Sequence, residues 1–328
     1  MLPIILRRTL LRGAGVAPLL AMERRADAQG AFPARPVRVL IGDGPGSPAD
    51  LTMRVLTERL SARWQQPVIV DNRPGASGTL ATGAVARAEA TGHTMFMAQT
   101  THMVLNEHLM PNLPFNAARD LMPIVHVVST PFIVCARPDL PAISLAELVS
   151  LARKGDELTF ATSGATTLPR FTGERLAQAG GFRMLNIAYN TGPAALQDTA
   201  AGRTDLVVGA PAAIVPQVRA GRLKAICMTS AGRFPGLEDI PAASETLPGF
   251  SSVGWLGLIG PAGMPPEVAD RIAADVTAAL AAPEVRERLQ RDLGAEPVGG
   301  TPAAFGAFVA EQRETYRQLT RALNLVVD

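Results

Sequence analysis

The chain has 328 residues, 47% hydrophobic and 18% charged, with a formal net charge of +2. That balance excludes a disordered chain. No long Lys/Arg run occurs and only 5% of residues are aromatic, so a nucleic-acid partner is not expected.

In chain order, residues 1–28 read as an export signal. Arg7 and Arg8 form a charged start, 9–22 is a short and mostly apolar stretch, and Ala26-Asp27-Ala28 offers a small-x-small cleavage site. The run from Arg7 to Arg12 also fits the twin-arginine signal. The alternative is a frayed cytosolic tail. No later stretch is apolar for the roughly 18 residues a membrane span needs. The expected location is therefore periplasmic, by either export route.

The mature part alternates strand and helix signals. Strands are predicted at 37–41, 68–70, 94–98, 124–128, 133–136, 158–162, 184–187, 206–208, 225–228 and 254–259. Helices are predicted at 49–62, 79–88, 144–153, 170–179, 194–201, 212–220, 266–281, 283–292 and 302–325. In the first helix Leu51, Val55, Leu56 and Leu60 make one apolar stripe. Such alternation implies an α/β fold of mainly parallel sheets flanked by helices. The length exceeds one usual core, so two domains are expected. Crossings near Thr130-Pro131 and in the Pro/Gly-rich stretch 232–248 place 131–230 as a second domain. It is inserted into a first made of 29–130 and 231–328. A cleft between domains is a preferred ligand site.

Five turns at strand ends are candidate contacts. After the first strand, Gly44, Pro45 and Gly46 lead into Ser47, Pro48 and Asp50, a capped helix start. Such a start gathers backbone N–H groups where a small anion can dock. The run is a near miss to Gly-x-Gly-x-x-Gly, with serine at 47, so dinucleotide binding is set aside. Thr100 and Thr101 follow the third strand, with hydroxyls that bond either a carboxylate or the turn itself. Thr162, Ser163, Gly164 and Thr167 precede a helix holding Arg170, which can fork a carboxylate or stay solvated. Tyr189 opens a further turn, and Gly209-Ala210-Pro211 another, with small residues at the cleft floor. Ser163 lacks the Gly-x-Ser-x-Gly context of a nucleophile.

Cys135 and Cys227 each lie in an apolar run; they are either two buried thiols or one disulfide across paired strands. His93, His102, His108 and His126 form no zinc pattern, and no metal or cofactor is expected.

Several ordered pieces carry a family likeness: Pro36-Val37-Arg38, the run Gln66 to Ala76, Leu113-Pro114-Phe115 and Ser163-Gly164. They continue with Tyr189, Pro193 to Asp198, Gly202 to Leu206, Pro261-Ala262-Gly263 and Leu293 to Val298. Asn-Arg-Pro-Gly-Ala and Leu-Gly-Ala-Glu-Pro in register are specific together. The chain resembles the Bug-type (TctC-like) solute-binding receptors of tripartite tricarboxylate transporters, from about Phe32 to its end. The resemblance implies a periplasmic-binding-protein fold of type II-like form, with two domains, a hinge of two crossing strands and a closing cleft. It implies a monomeric receptor without catalysis that takes a small carboxylate (a di- or tricarboxylate, amino acid or aromatic acid) to permease subunits in the membrane. Pro45, Gly46, Asp50, Ser163, Gly164, Tyr189 and Asp205 match its ligand-holding turns. Ser47, Pro48, Asp43, Arg170 and Asn190 depart from the pattern; Asp43 either repels an acid or meets an ammonium group. Alternative functions are an exported serine hydrolase using Ser163, or a ligand sensor serving a signalling partner.

Overall fold

The computed structural model describes residues 32–322 except 111, 156, 165 and 166. The segment expected to direct export lies outside them. The first sheet contains β1 (Val37–Ile41), β2 (Val68–Asn72), β3 (Thr94–Gln99), β4 (Leu121–Pro131), β10 (Val253–Pro261) and β11 (Glu296–Gly299). Their order is β11-β4-β10-β3-β1-β2. The second contains β5 (Ile133–Ala136), β6 (Leu158–Thr162), β7 (Met184–Ala188), β8 (Leu206–Gly209) and β9 (Lys224–Met228), in the order β7-β6-β8-β5-β9.

Helices α1 (Pro48–Trp64), α2 (Thr79–Ala86), α3 (Asn106–Leu109), α4 (Ala117–Asp120), α9 (Pro266–Leu280), α10 (Pro283–Leu293) and α11 (Pro302–Ala322) accompany the first sheet. Helices α5 (Leu145–Arg153), α6 (Leu168–Gly180), α7 (Gly192–Ala200) and α8 (Pro211–Arg219) accompany the second. The result is a two-domain α/β fold. Among the described residues no helix is long and apolar enough to cross a membrane.

The expectation of mainly parallel sheets needs correction, because both sheets are mixed. In the first, β1 is parallel to β2 and β3, whereas β10 is antiparallel to β3 and β4, and β11 to β4. In the second, β6 is parallel to β7 and β8, whereas β5 is antiparallel to β8 and β9. Parallel pairs come from strand–helix–strand crossovers. The strands that carry the chain between sheets, β4, β5 and β10, have no such crossover in common and pair antiparallel. β11 also went unpredicted: it is short, contains Pro297 and sits at an edge, where proline is tolerated.

β4 passes into β5 through Phe132, so one crossing is a strand continued into a strand. The return from β9 to β10 is instead the longer segment 229–252, which includes a short helical turn, Ala243–Glu245. Backbone and hydroxyl bonds tie the two crossings together. The Phe132 amide donates to Thr229 Oγ1 at 2.8 Å, and Thr229 Oγ1 donates to the Ser252 carbonyl at 2.6 Å. Helix α11 braces the same place from behind. Its Phe305 packs edge-on to Trp255 of β10 at 5.3 Å, and its Tyr316 meets Phe171 of α6 at 6.4 Å. One apolar core therefore runs from Leu40 and Phe96 in the first domain to Phe160 and Leu206 in the second.

β1 is buried at Val37, Val39, Leu40 and Ile41, as expected of a strand covered on both faces. In α1 the buried stripe is Met53, Val55, Leu56, Leu60 and Trp64, with Leu51 only half-buried.

Candidate functional site

A cavity of about 610 Å³ lies between the two sheets. Its walls are the loops at the carboxyl ends of β1, β3, β6, β7 and β8, where ligands bind in open α/β sheets. From the first domain come Asp43 to Pro48 and Gln99 to Thr101. The hinge adds Thr130, Phe132 and Gly254 to Leu256. The second domain supplies Ser163, Thr167 to Pro169, Asn190 to Pro193 and Val207 to Ala210. Of the expected contacts, Gly44, Pro45, Gly46, Ser47, Thr100, Thr101, Ser163, Thr167 and Ala210 line it.

Helices α1, α6, α7 and α8 all begin at this cavity, so four positive dipole ends converge there. The donor count is smaller than the sequence suggested. Each helix has proline at its first or second position, Pro48, Pro169, Pro193 or Pro211, and proline has no N–H. Hydroxyls of Ser47, Thr101, Ser163, Thr167 and Thr191, with the amides of Gln99 and Asn190, supply polar lining as well. Among the described residues no Lys, Arg or His lines the cavity, and Asp43 is its one charged side chain. Phe132, Leu168, Leu196, Val207 and Leu256 form apolar wall.

Five expected contacts, Asp50, Thr162, Gly164, Arg170 and Tyr189, are not among the residues that line the cavity. Asp50 is 1% exposed. Its carboxylate accepts from the Gly46 amide at 2.9 Å and from Arg54 Nε at 3.0 Å, so it holds the loop. Burial pushes the Asp50 carboxyl up, but the bonds from Arg54, Gly46 and Asn72 and the Arg54 charge hold it below its ordinary value. Gly46 has φ of 82°, a region that favours glycine.

Thr162 is fully buried, accepts from Asn186 Nδ2 at 2.9 Å and donates to the Gly164 carbonyl at 3.2 Å. Thr167 donates to the same carbonyl at 3.0 Å. Gly164, at φ of 136°, is thus the clamped corner that leaves Ser163 exposed at the cavity. Arg170 lies on the first turn of α6 with Nε 4.0 Å from Glu174, because each step along a helix rotates the side chain by about 100°. Tyr189 donates its hydroxyl to Asp198 Oδ2 at 2.9 Å, which fastens the turn after β7 to α7. Asp205 is likewise structural: Thr159 donates to it through amide and hydroxyl, each at 2.8 Å, and Arg137 Nε at 3.0 Å.

Residues 52–325 match the family described as the tripartite tricarboxylate transporter family receptor, TctC. The chain belongs to that family. A UPF0065 protein of Bordetella bronchiseptica is 36% identical over 98% of this chain and 94% of its own. Among solved structures, Rpa4515 of R. palustris with adipate is 26% identical with a TM-score of 0.83, covering 90% of this chain and 100% of that one. MatC of Rhodopseudomonas palustris with bound malate is 28% identical with a TM-score of 0.77, covering 88% of this chain and 99% of that one.

In this receptor-family chain the hinge residues Thr130, Phe132 and Trp255 were missed as cavity lining. They sit in apolar strand runs that read as core, and only the crossing of β4 and β10 between sheets marks them. Cys135 and Cys227 are free, buried thiols. They occupy adjacent strands but not facing positions, since Cys135 pairs with Ala225 and Cys227 with Val134. Burial pushes the Cys227 thiol up to about 12 and the Cys135 thiol higher still.

Proposed function

We infer that the chain is a periplasmic receptor that captures a small carboxylate between its two domains and passes the closed form to permease subunits of the membrane. The observation that carries this is the cavity itself, with four helix starts and a set of hydroxyls from both domains around an apolar wall. The relatives that hold adipate and malate support the ligand class. The hinge at 130–132 and 229–252 supports the division into 29–130 plus 231–328 and 131–230.

Neutral donors suffice for the affinity a receptor needs. A hydrogen bond to a charged group contributes about 1.5–3 kcal/mol, and a helix start about 0.3–1 kcal/mol. Three or four such contacts reach the ~8 kcal/mol of micromolar binding before ordering costs are subtracted. Capture then proceeds by hinge closure. A hydrolase would need a base beside Ser163, and among the described residues no histidine lines the cavity. The receptor reading is therefore preferred.

A thermal-shift screen over mono-, di- and tricarboxylates, amino acids and nicotinate-like acids tests it. A true ligand at a hundred times its Kd adds about 2.7 kcal/mol of stability. A panel in which no acid moves the melt would overturn the reading.

A further inference from the structure

The cavity has two walls of different electrical character. On the second-domain side the lining is hydroxyl, amide and apolar: Ser163, Thr167, Asn190 and Thr191 beside Leu196 and Val207. On the first-domain side it holds Asp43. This carboxylate is held in place. Its backbone carbonyl accepts from Asn72 Nδ2 at 3.1 Å, and its Oδ2 accepts from Gln99 Nε2. The other carboxylate oxygen has no partner among the described residues. Among the described residues no cationic side chain lines the cavity to balance it.

An amine-free di- or tricarboxylate would bring one carboxylate to the helix starts and press the rest of its charge toward Asp43. Like charges in a partly dry cavity repel strongly. A ligand with a cation at its other end meets both walls with the matching sign, and an ammonium group donates directly to the open oxygen of Asp43. We propose that Asp43 is a specificity-determining residue and selects a carboxylate that also carries a protonated amine, the amino-acid class, over amine-free acids. This rests on the receptor reading above and narrows it.

The test is titration calorimetry with matched probes: L-glutamate against glutarate, L-aspartate against succinate, and L-leucine against 4-methylpentanoate. Each pair is run on the native chain and on Asp43→Asn. The amine-bearing member of at least one pair should bind ten-fold or more tighter than its twin, and Asp43→Asn should reduce that preference below three-fold. Three results overturn the proposal: the amine-free twin binds equally or better, the preference survives in Asp43→Asn, or no amine-bearing probe binds. The native ratio stands even if the variant does not fold, and the melt of the empty variant checks that it does. Binding of amine-free acids alone would end the Asp43 proposal and leave the receptor standing. Silence across the whole carboxylate panel would end both.

Discussion

The two domains build their halves of the cavity by different means. The first relies on ionisable groups. Asp50 and Arg54 hold the Gly46 loop, Asp43 faces the cavity, and His102 lies buried beneath, its Nδ1 accepting from the Gln99 amide at 3.2 Å. The second relies on hydroxyls and main chain: Thr162 and Thr167 clamp Gly164, and its bonded acids Asp198 and Asp205 do not line the cavity. All four histidines fall in the first domain and both cysteines in the second. The difference teaches that acid should loosen the first, histidine-bearing half well before the other.

Mild acid gives the largest expected effect. Burial lowers His126 to about 4, partly offset by a backbone bond at Val128. Burial also lowers His102, partly offset by the charge of Asp43. The unfolded chain takes these protons below about pH 6.5 while the folded one refuses them, so stability falls as pH drops from there. For His126 the loss grows until its folded value of about 4 is reached and amounts to roughly 3 kcal/mol. In the second domain burial raises Asp205, but bonds from Thr159 and Arg137 hold it below its ordinary value, so its loss begins only below about pH 4. Amide exchange between pH 7 and 4 should show β4 and β10 opening before β6 and β8. The reverse order would break the comparison, and His126→Phe should flatten the slope.

Next comes Asp50→Ala. It strands the Gly46 amide and releases Arg54, whose side chain is half exposed and can return to water. The expected loss is about 2 kcal/mol of stability by urea unfolding, the weight of a charged hydrogen bond. Ligand affinity should fall with it. A change below about 0.5 kcal/mol, the range of ordinary surface substitutions, would mean that the loop holds itself without its acid.

Much of this architecture could be read from the sequence because strand ends are punctuated. Glycine, proline and hydroxyl residues mark where a strand stops, and the turns at Pro45, Thr100, Ser163 and Ala210 were visible for that reason. Register inside a turn was not visible. Thr162 and Ser163 are neighbours, yet one is fully buried and the other exposed, because the strand ends at Thr162 and the chain turns at the clamped Gly164. Arg170 and Tyr189 are expected as contacts for their chemistry, but they are not part of the cavity lining: Arg170 lies beside Glu174 and Tyr189 bonds Asp198. Phe132 and Trp255 carried no signal beyond hydrophobicity, since a hinge strand and a core strand have the same composition. The prolines at four helix starts were legible and underweighted: they preset the helix, yet they thin the very amides an anion would use.

That thinning sets the smallest prediction. If amides carried the ligand, the second wall would tolerate loss of a hydroxyl; with prolines at the helix starts, it should not. Ser163 is exposed at the cavity, and its side chain has no protein partner among the described residues, so Ser163→Ala should leave the melt of the empty protein unchanged. Affinity should drop several-fold, about 1 kcal/mol, the net weight of one hydrogen bond. Thr162→Val is the control one residue away. It removes a buried hydroxyl that accepts from Asn186 and donates to Gly164, so it should lower the melt first and affinity only as a consequence. Equal behaviour of the two variants would mean that the clamp and the contact are one feature, and the second wall would then be no stiffer than the first.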